Sequence, residues 1–172
     1  HWSWDRILRS VFIKQADVLQ GVYLFEDHFS DEVIKDNFNY YEPKTVHESS
    51  LSPCVHAILA AKIGDADKAY EMYLRTSRLD LDDYNREVHE GLHITSMAGT
   101  WMSIVEGMAG VRVTESGLAI NPTLPKQWNG YAFKIYFKGN SLDIKCDAQH
   151  VSITNNGSEL VSATVYGNEI SL

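Results

Sequence analysis

The chain has 172 residues, 44% of them hydrophobic, and a formal net charge of −8 at pH 7. That is enough apolar material for one ordinary packed domain or two small ones, and nothing in it reads as disordered or low in complexity. The acidic balance excludes a nucleic-acid-binding surface, which needs a basic stripe, and no apolar run is long enough for a transmembrane helix. No signal peptide is visible. Cys54 and Cys146 fall in different halves of the chain and read as free thiols of a reducing compartment. The chain opens at His1 without a methionine, and Trp2 and Trp4 are costly residues on a frayed terminus. The expectation is the C-terminal part of a longer polypeptide.

In chain order, Ile7, Leu8, Val11 and Phe12 fit helical spacing, while the string Val11-Phe12-Ile13 reads equally as a buried extended segment. The stretch ADVLQGVYLF predicts a helix interrupted or ended near Gly21. Lys14 and Gln15 lie between apolar flanks, which suits either a solvated helix face or a pair reaching into a polar cavity. Ser30, followed by Asp31 and Glu32, predicts the N-cap of a short helix ending before Asn39, with Pro43 as its stop.

Next comes HESSLSP, residues 47–53. Serines are poor in a helix interior but good at its entrance, and Pro53 suits a first turn where its missing N–H costs nothing. The helix that follows, CVHAILAAKIG, is apolar round most of its circumference and is therefore expected to be buried. Its N-terminus would deliver free N–H groups and partial positive charge to a serine-lined spot, an arrangement suited to an anion. Simple N-capping needs only one hydroxyl. Gly64-Asp65 closes this helix and caps the next, which runs to about Arg78 with Ala66, Ala69, Tyr70, Tyr73 and Leu74 as its apolar stripe. The acidic string over 79–83 reads as a turn.

A second polar knot, HEGLHITSMAGTW at 89–101, opens another helix carrying Met97, Ala98, Trp101, Ile104, Val105 and Met108. Gly99 and Gly107 in it imply close packing against a neighbour. After Gly110 the hydrophobic period changes from helical to two, through Val111, Leu118, Ile120, Phe133, Ile135, Leu142, Ile144, Ile153, Ala163 and others, with turn signals between the runs. Residues from about 111 onward therefore predict an antiparallel sheet or half-sandwich.

The string His89-Glu90-Gly91-Leu92-His93 formally matches the H-E-x-x-H zinc signature. Gly91 sits inside the required turn, no apolar helix precedes it and no third ligand follows, so a zinc hydrolase is the weaker reading. His93 serves better as an anion ligand beside serine hydroxyls and a helix N-terminus. His28, His56 and His150 read as satisfied core residues. Glu48 and Glu90 read as groups that orient a histidine or hold a loop.

Taken together, VFIKQADVL, TVHESSLSPCVHAILAAKIGD, NREVHEGLHITSMAGTWMSIVEGMAGVR and LAINPTLPKQWNGYAFKIYFKGNSLDI resemble the C-terminal part of glycoside hydrolase family 65, which contains maltose, kojibiose, nigerose and trehalose phosphorylases. The resemblance implies an α+β chain: residues 1–110 as the last helices of an (α/α)6 catalytic barrel, and residues 111–172 as an antiparallel β-sandwich C-terminal domain. It implies phosphate binding by Ser49, Ser50 and His93, and binding of the non-reducing glucose by Lys14 and Gln15. The implied reaction is inverting phosphorolysis of an α-glucoside to β-glucose 1-phosphate and a free sugar. Phosphate needs no general base to attack, so serines and a histidine can stand where a hydrolase needs a carboxylate to activate water. The general-acid glutamate is expected upstream of this chain, which by itself is expected to be inert. The implied partners are a disaccharide, inorganic phosphate as substrate, the preceding part of the same enzyme and a second copy in a homodimer. No metal or other cofactor is implied, and the cytoplasm is the expected location. The other readings are a trehalase-like hydrolase of the same family and a sugar-binding or structural module without turnover.

Overall fold

The computed structural model describes residues 2–172. Helices come first: α1 (Trp4–Ile7), α2 (Asp17–Leu24), α3 (Asp31–Tyr41), α4 (Ser52–Lys62), α5 (Ala66–Ser77) and α6 (Ile94–Met102), which continues as a wide π-helical turn over Ser103–Met108. Seven strands follow: β1 (Arg112–Thr114), β2 (Gly117–Ile120), β3 (Gly130–Phe137), β4 (Asn140–Asp147), β5 (Val151–Asn155), β6 (Ser162–Val165) and β7 (Asn168–Ser171). The chain is α+β by segment, with the change of hydrophobic period marking the change of structure.

Between α1 and α2 the chain is extended, not helical: Ile13 pairs with Thr45 in an isolated parallel bridge. Val11 and Phe12 beside it are 47% and 42% exposed, so this segment is not buried among the described residues. Helix α2 runs through Gly21 without a break and buries Leu19 and Val22. Ser30 caps α3 as its sequence predicts, its Oγ accepting from the Val33 N–H, but the helix passes Asn39 and stops at Tyr41, where a 3-10 turn carries Pro43. Glu42, directly before Pro43, keeps the helical conformation at φ −54 and ψ −52, so the chain tightens into the 3-10 turn and the proline does not cut the helix short.

Helix α4 is the hub of the helical half. Every residue of it except Lys62 is buried. Asp65 then caps α5 by accepting from the Lys68 N–H at 3.0 Å. The buried face of α5 is Ala69, Met72 and Thr76, with Tyr70 and Tyr73 only partly covered. Helix α6 turns its small residues inward: Ser96, Gly99, Ser103 and Gly107 are buried, whereas Ile94, Met97 and Trp101 are 67%, 46% and 51% exposed. A Cβ on Gly99 would lie 2.8 Å from the Cys54 Cβ, and one on Gly107 would lie 3.4 Å from the Ile58 Cα. Close approach to α4 thus requires small residues at Gly99 and Gly107, while Val105 and Met108 are buried in the same stretch. The same contacts fix direction: Gly99 meets the start of α4 and Gly107 its middle, so α4 and α6 run the same way.

The strands form two sheets, one in the order β1-β2-β6-β7 and one in the order β3-β4-β5. All pairings are antiparallel except β2 with β6, which run parallel. Turn signals specify only strands adjacent in sequence; here the chain leaves the first sheet after β2, builds the second, and re-enters beside β2 in the same direction. Leu118, Ile120, Leu142, Ile144, Val161 and Ala163 fill one core together with Val105, Ala109 and Val111 from the end of the helical half. A second tie is polar: Arg112 pairs with Glu26 and donates to the Glu106 carbonyl, while the Tyr23 hydroxyl donates to the Glu106 carboxylate.

Candidate functional site

The loop over 46–51 is held at several points before α4 begins. His47 sits at φ +55, its carbonyl accepts from Arg75 at 2.9 Å, and its Nδ1 lies 2.9 Å from the Ser52 Oγ. The Glu48 N–H donates to the Lys14 carbonyl at 3.2 Å, and the Val46 N–H to that of Ile13 at 2.8 Å. Ser49 Oγ accepts from the Leu51 N–H, a local turn contact; no side chain caps the helix itself. Ser50 is half-buried and, among the described residues, its hydroxyl has no hydrogen-bond partner. The Ser52 N–H is taken by the Ser49 carbonyl at 3.2 Å and Pro53 has none, so what the buried helix brings beside the two serines is chiefly its dipole.

Lys14 and Gln15 lie on the extended segment paired to this loop. Lys14 Nζ is 3.3 Å from Glu48 Oε2 and 5.4 Å from the Trp4 ring centre, and Gln15 Nε2 donates to Asp17 Oδ1. Glu48 thus steadies a lysine. Lys14 is neither on a helix face nor enclosed; its side chain keeps 51% exposure.

His93 stands at the head of α6 as its N-cap. Asp80 holds it twice: His93 Nδ1 lies 2.6 Å from Oδ1, and its backbone N–H donates to Oδ2 at 2.8 Å. On the far side of the ring, Nε2 is 3.6 Å from Glu87. The hydrogen bond from His93 lowers the Asp80 pKa, and the hydrogen bond to Asp80 raises that of His93. The zinc reading of HEGLH fails on geometry: His89 lies in a 3-10 turn, Gly91 at φ +130 breaks the run, and His93 starts the next helix, so the two imidazoles do not share a helical face. Glu90 lies 3.8 Å from His89, both largely exposed.

Among the described residues no hydrogen bond joins His93 to Ser49 or Ser50. What links them is the parallel course of α4 and α6, which opens both polar stretches at one end of the helix pair. Arg75 of α5 strengthens that link, donating to His47 while its guanidinium lies 4.7 Å from the Tyr84 ring centre in the turn that also carries Asp80. The sequence gives α5 no chemistry; Arg75 brings positive charge to this end. Asp80, Glu87 and Arg75 are the residues that sequence reasoning misses. The only sequence signal for the two acids is the density of carboxylates in LDLDDYNREVHE just ahead of His93.

Behind the loop, His47 and His56 pack edge to face with ring centres 4.4 Å apart. His28 and His150 are surface residues, but His56 is fully buried, and both its ring nitrogens and the His47 Nε2 lack partners. The expectation of satisfied core histidines thus fails for all three: His28 and His150 are not in the core, and His56 is in the core but, among the described residues, unpartnered. Burial, with Arg75 and Lys68 nearby, pushes His47 down to about 4; burial first, then His47 and those same cations, pushes His56 down to about 3. Glu42, His47 and His56 offer ligand atoms all within 4.8 Å of one another, a spacing that could hold a cation. Glu42 is already paired with Lys68 at 3.1 Å, and two cations flank the group, so added positive charge is opposed.

Because both histidines are neutral when folded and titrate near 6.5 when unfolded, their contribution is present above that pH and is lost as pH falls toward about 4 and then 3. Thermal unfolding of the complete protein should occur at progressively lower temperature over that window. His56→Leu, which removes one of the two titrations and two unpaired nitrogens, should flatten the dependence. An unchanged slope in His56→Leu would contradict the assignment.

Residues 1–102 match the model of the glycosyl hydrolase family 65 central catalytic domain, and residues 111–172 that of the glycosyl hydrolase family 65 C-terminal domain. The maltose phosphorylase of Bacillus subtilis is 56% identical over 151 residues, which are 88% of this chain and 20% of that protein. The alpha,alpha-trehalose phosphorylase of Geobacillus stearothermophilus is 44% identical over 97% of this chain and 22% of its own length. A solved structure named "Putative kojibiose phosphorylase from human microbiome" superposes with a TM-score of 0.94 at 46% identity, covering 100% of this chain and 25% of that one. The chain spans about a fifth of the length of the curated relatives it matches. With both domain models matched in order and relatives this similar over nearly all its residues, the chain belongs to glycosyl hydrolase family 65.

Proposed function

We propose that this chain supplies the phosphate-binding and part of the glucose-binding machinery of an inverting disaccharide phosphorylase. In it, Ser49, Ser50 and His93 hold the attacking phosphate, and Lys14 and Gln15 hold the non-reducing glucose. The observation that carries the reading is the uncapped start of buried α4, with two serines before it, opening at the same end as the head of α6. Backbone hydrogen bonds from Val46 and Glu48 tie that loop to the segment of Lys14, which supports a reading with anion and sugar groups side by side. Four relatives are named as phosphorylases of maltose, trehalose or kojibiose, which supports the same chemistry.

The arrangement suits an anion that is itself the nucleophile. A hydrolase would need a free carboxylate to take a proton from water. Glu48 is paired with Lys14 and Asp80 is engaged by His93, while Glu87, 46% exposed and 3.6 Å from His93 Nε2, is the nearby carboxylate against which the phosphate dependence of turnover decides. The general acid belongs to the preceding part of the enzyme. In this reading residues 1–110 complete the barrel and residues 111–172 form the appended sheet domain. The complete enzyme works in the cytoplasm as a homodimer, with phosphate as substrate and no cofactor.

The test is turnover by the complete enzyme with maltose, kojibiose and trehalose, with and without orthophosphate, followed by phosphorus NMR. The expected product is β-glucose 1-phosphate, formed only when phosphate is present, while this chain alone gives none. Sugar release at the same rate without phosphate would make the enzyme a hydrolase instead.

A further inference from the structure

We propose that Asp80 is the positioning residue of the phosphate site, clamping His93 by ring and backbone so that the ring's Nε2 faces the anion. The inference rests on the reading of His93 as a phosphate ligand. Its geometric basis is the two-point contact, one carboxylate oxygen on Nδ1 at 2.6 Å and the other on the backbone N–H at 2.8 Å. Together these fix both where the residue sits at the head of α6 and which way the imidazole turns. Asp80 is itself anchored: Leu79 beside it is 5% exposed, and the Leu79 carbonyl accepts from the Tyr84 N–H at 3.0 Å, closing the turn. The side chains of Asp80 and His93 are only 13% and 22% exposed, so water competes weakly for the contact.

The chemistry of the ring makes the clamp consequential. A neutral imidazole that donates from Nδ1 to Asp80 has a bare lone pair on Nε2, which repels a phosphate oxygen. Only the imidazolium donates from both nitrogens at once. Asp80 favours that form by placing a negative charge on the Nδ1 side, in the direction of the shift at His93. The charged groups that face the ring are Asp80 at Nδ1 and Glu87, 3.6 Å from Nε2. Glu87 also favours the charged form; it stands on the Nε2 side, so its side chain, 46% exposed, has to turn away for the anion to take that place. Phosphate binding should therefore be strong at neutral pH and fall as pH rises through the elevated value of His93.

The experiment measures KM for phosphate and, because the general acid and phosphate itself also titrate, the pH profile of sulfate binding in the complete enzyme and its Asp80→Asn variant, the alkaline limb being the weakening of sulfate binding as pH rises. Asparagine keeps one oxygen to accept from Nδ1, but it removes the charge and, by turning an NH2 toward the His93 backbone N–H, the second arm of the clamp. The variant should show KM for phosphate raised about tenfold at neutral pH, KM for the disaccharide nearly unchanged, and the alkaline limb moved about one pH unit toward acid. An alkaline limb that stays in place, or equal losses against both substrates, would overturn the role of Asp80. If Asp80→Asn does not fold, His93→Gln decides: glutamine offers a donor without titrating, so the alkaline limb should vanish, and its persistence overturns the proposal. Undiminished phosphate use by His93→Ala would instead remove His93 from the site and leave the proposed reaction to stand or fall on Ser49 and Ser50.

Discussion

Replacing Ser49 and Ser50 together by alanine in the complete enzyme should cut kcat/KM for phosphate about a thousandfold, with KM for the disaccharide held within about threefold. Each hydroxyl would donate to a charged oxygen, a contact contributing about 1.5–3 kcal/mol, so losing two gives roughly a hundred- to ten-thousandfold. The fold should survive. Ser49 Oγ accepts one turn hydrogen bond from Leu51, both serines are half-buried, and neither caps α4. The contrasting variant is Ser52→Ala. Ser52 is 1% exposed and its hydroxyl touches His47, so its loss should show first in stability. If the double variant loses disaccharide and phosphate affinity equally, the serines are loop scaffolding and the anion site lies elsewhere.

The largest effect on stability is expected from Gly117→Ala. Gly117 opens β2 at φ +148, and a Cβ there would stand 2.0 Å from the Ser162 carbonyl oxygen. The atom in the way is backbone, at the start of the strand that pairs with β2 in parallel, so no rotamer change relieves the clash. Backbone strain and overpacking of about 1–3 kcal/mol each make a total loss of roughly 2–6 kcal/mol, comparable to the whole margin of a small domain. The expected readout in the complete enzyme is a lowered first thermal transition and faster proteolysis within residues 111–172. Gly139→Ala is the control: it has φ +80 but open space around its Cβ, so it should suffer the strain alone. Equal stability of wild type and Gly117→Ala would mean that β2 and β6 do not pair as described.

Both expectations show how differently function and fold are written into the chain. Helix α4 is legible from its nearly continuous apolar sequence, because a helix without a polar face has nowhere to go but inside. The start of the sheet is legible from the change of period after Gly110, and six of the seven strands follow the alternation closely. The short β7 has little apolar alternation to announce it. Helix α6 shows the opposite case. Its large residues Ile94, Met97 and Trp101 suggest the inner face, yet Ser96 and Gly99 are the buried residues of α6, joined in the following turn by Ser103, Val105, Gly107 and Met108. Backbone proximity to α4 requires small residues at Gly99 and Gly107, and only the neighbouring helix can impose that.

The site divides in the same way. Local chemistry marks Ser49, Ser50, His93, Lys14 and Gln15, since hydroxyls at a helix start and long polar residues between apolar flanks stand out in any sequence. Family likeness, not spacing, suggests what they bind. What no local pattern contains is the set of distant pairings: Asp80 with His93, Arg75 with the His47 carbonyl, Ile13 with Thr45, and His47 against His56. The sequence by itself determined most helices and strands, though not β7 or the stretch before Lys14, and which residue types could do chemistry, because periodicity and capping act over a few residues. The tertiary structure alone decided which faces turn inward, that β2 and β6 run parallel, and which carboxylate holds the histidine. Those outcomes depend on groups separated in sequence that meet only when the helices and sheets close-pack.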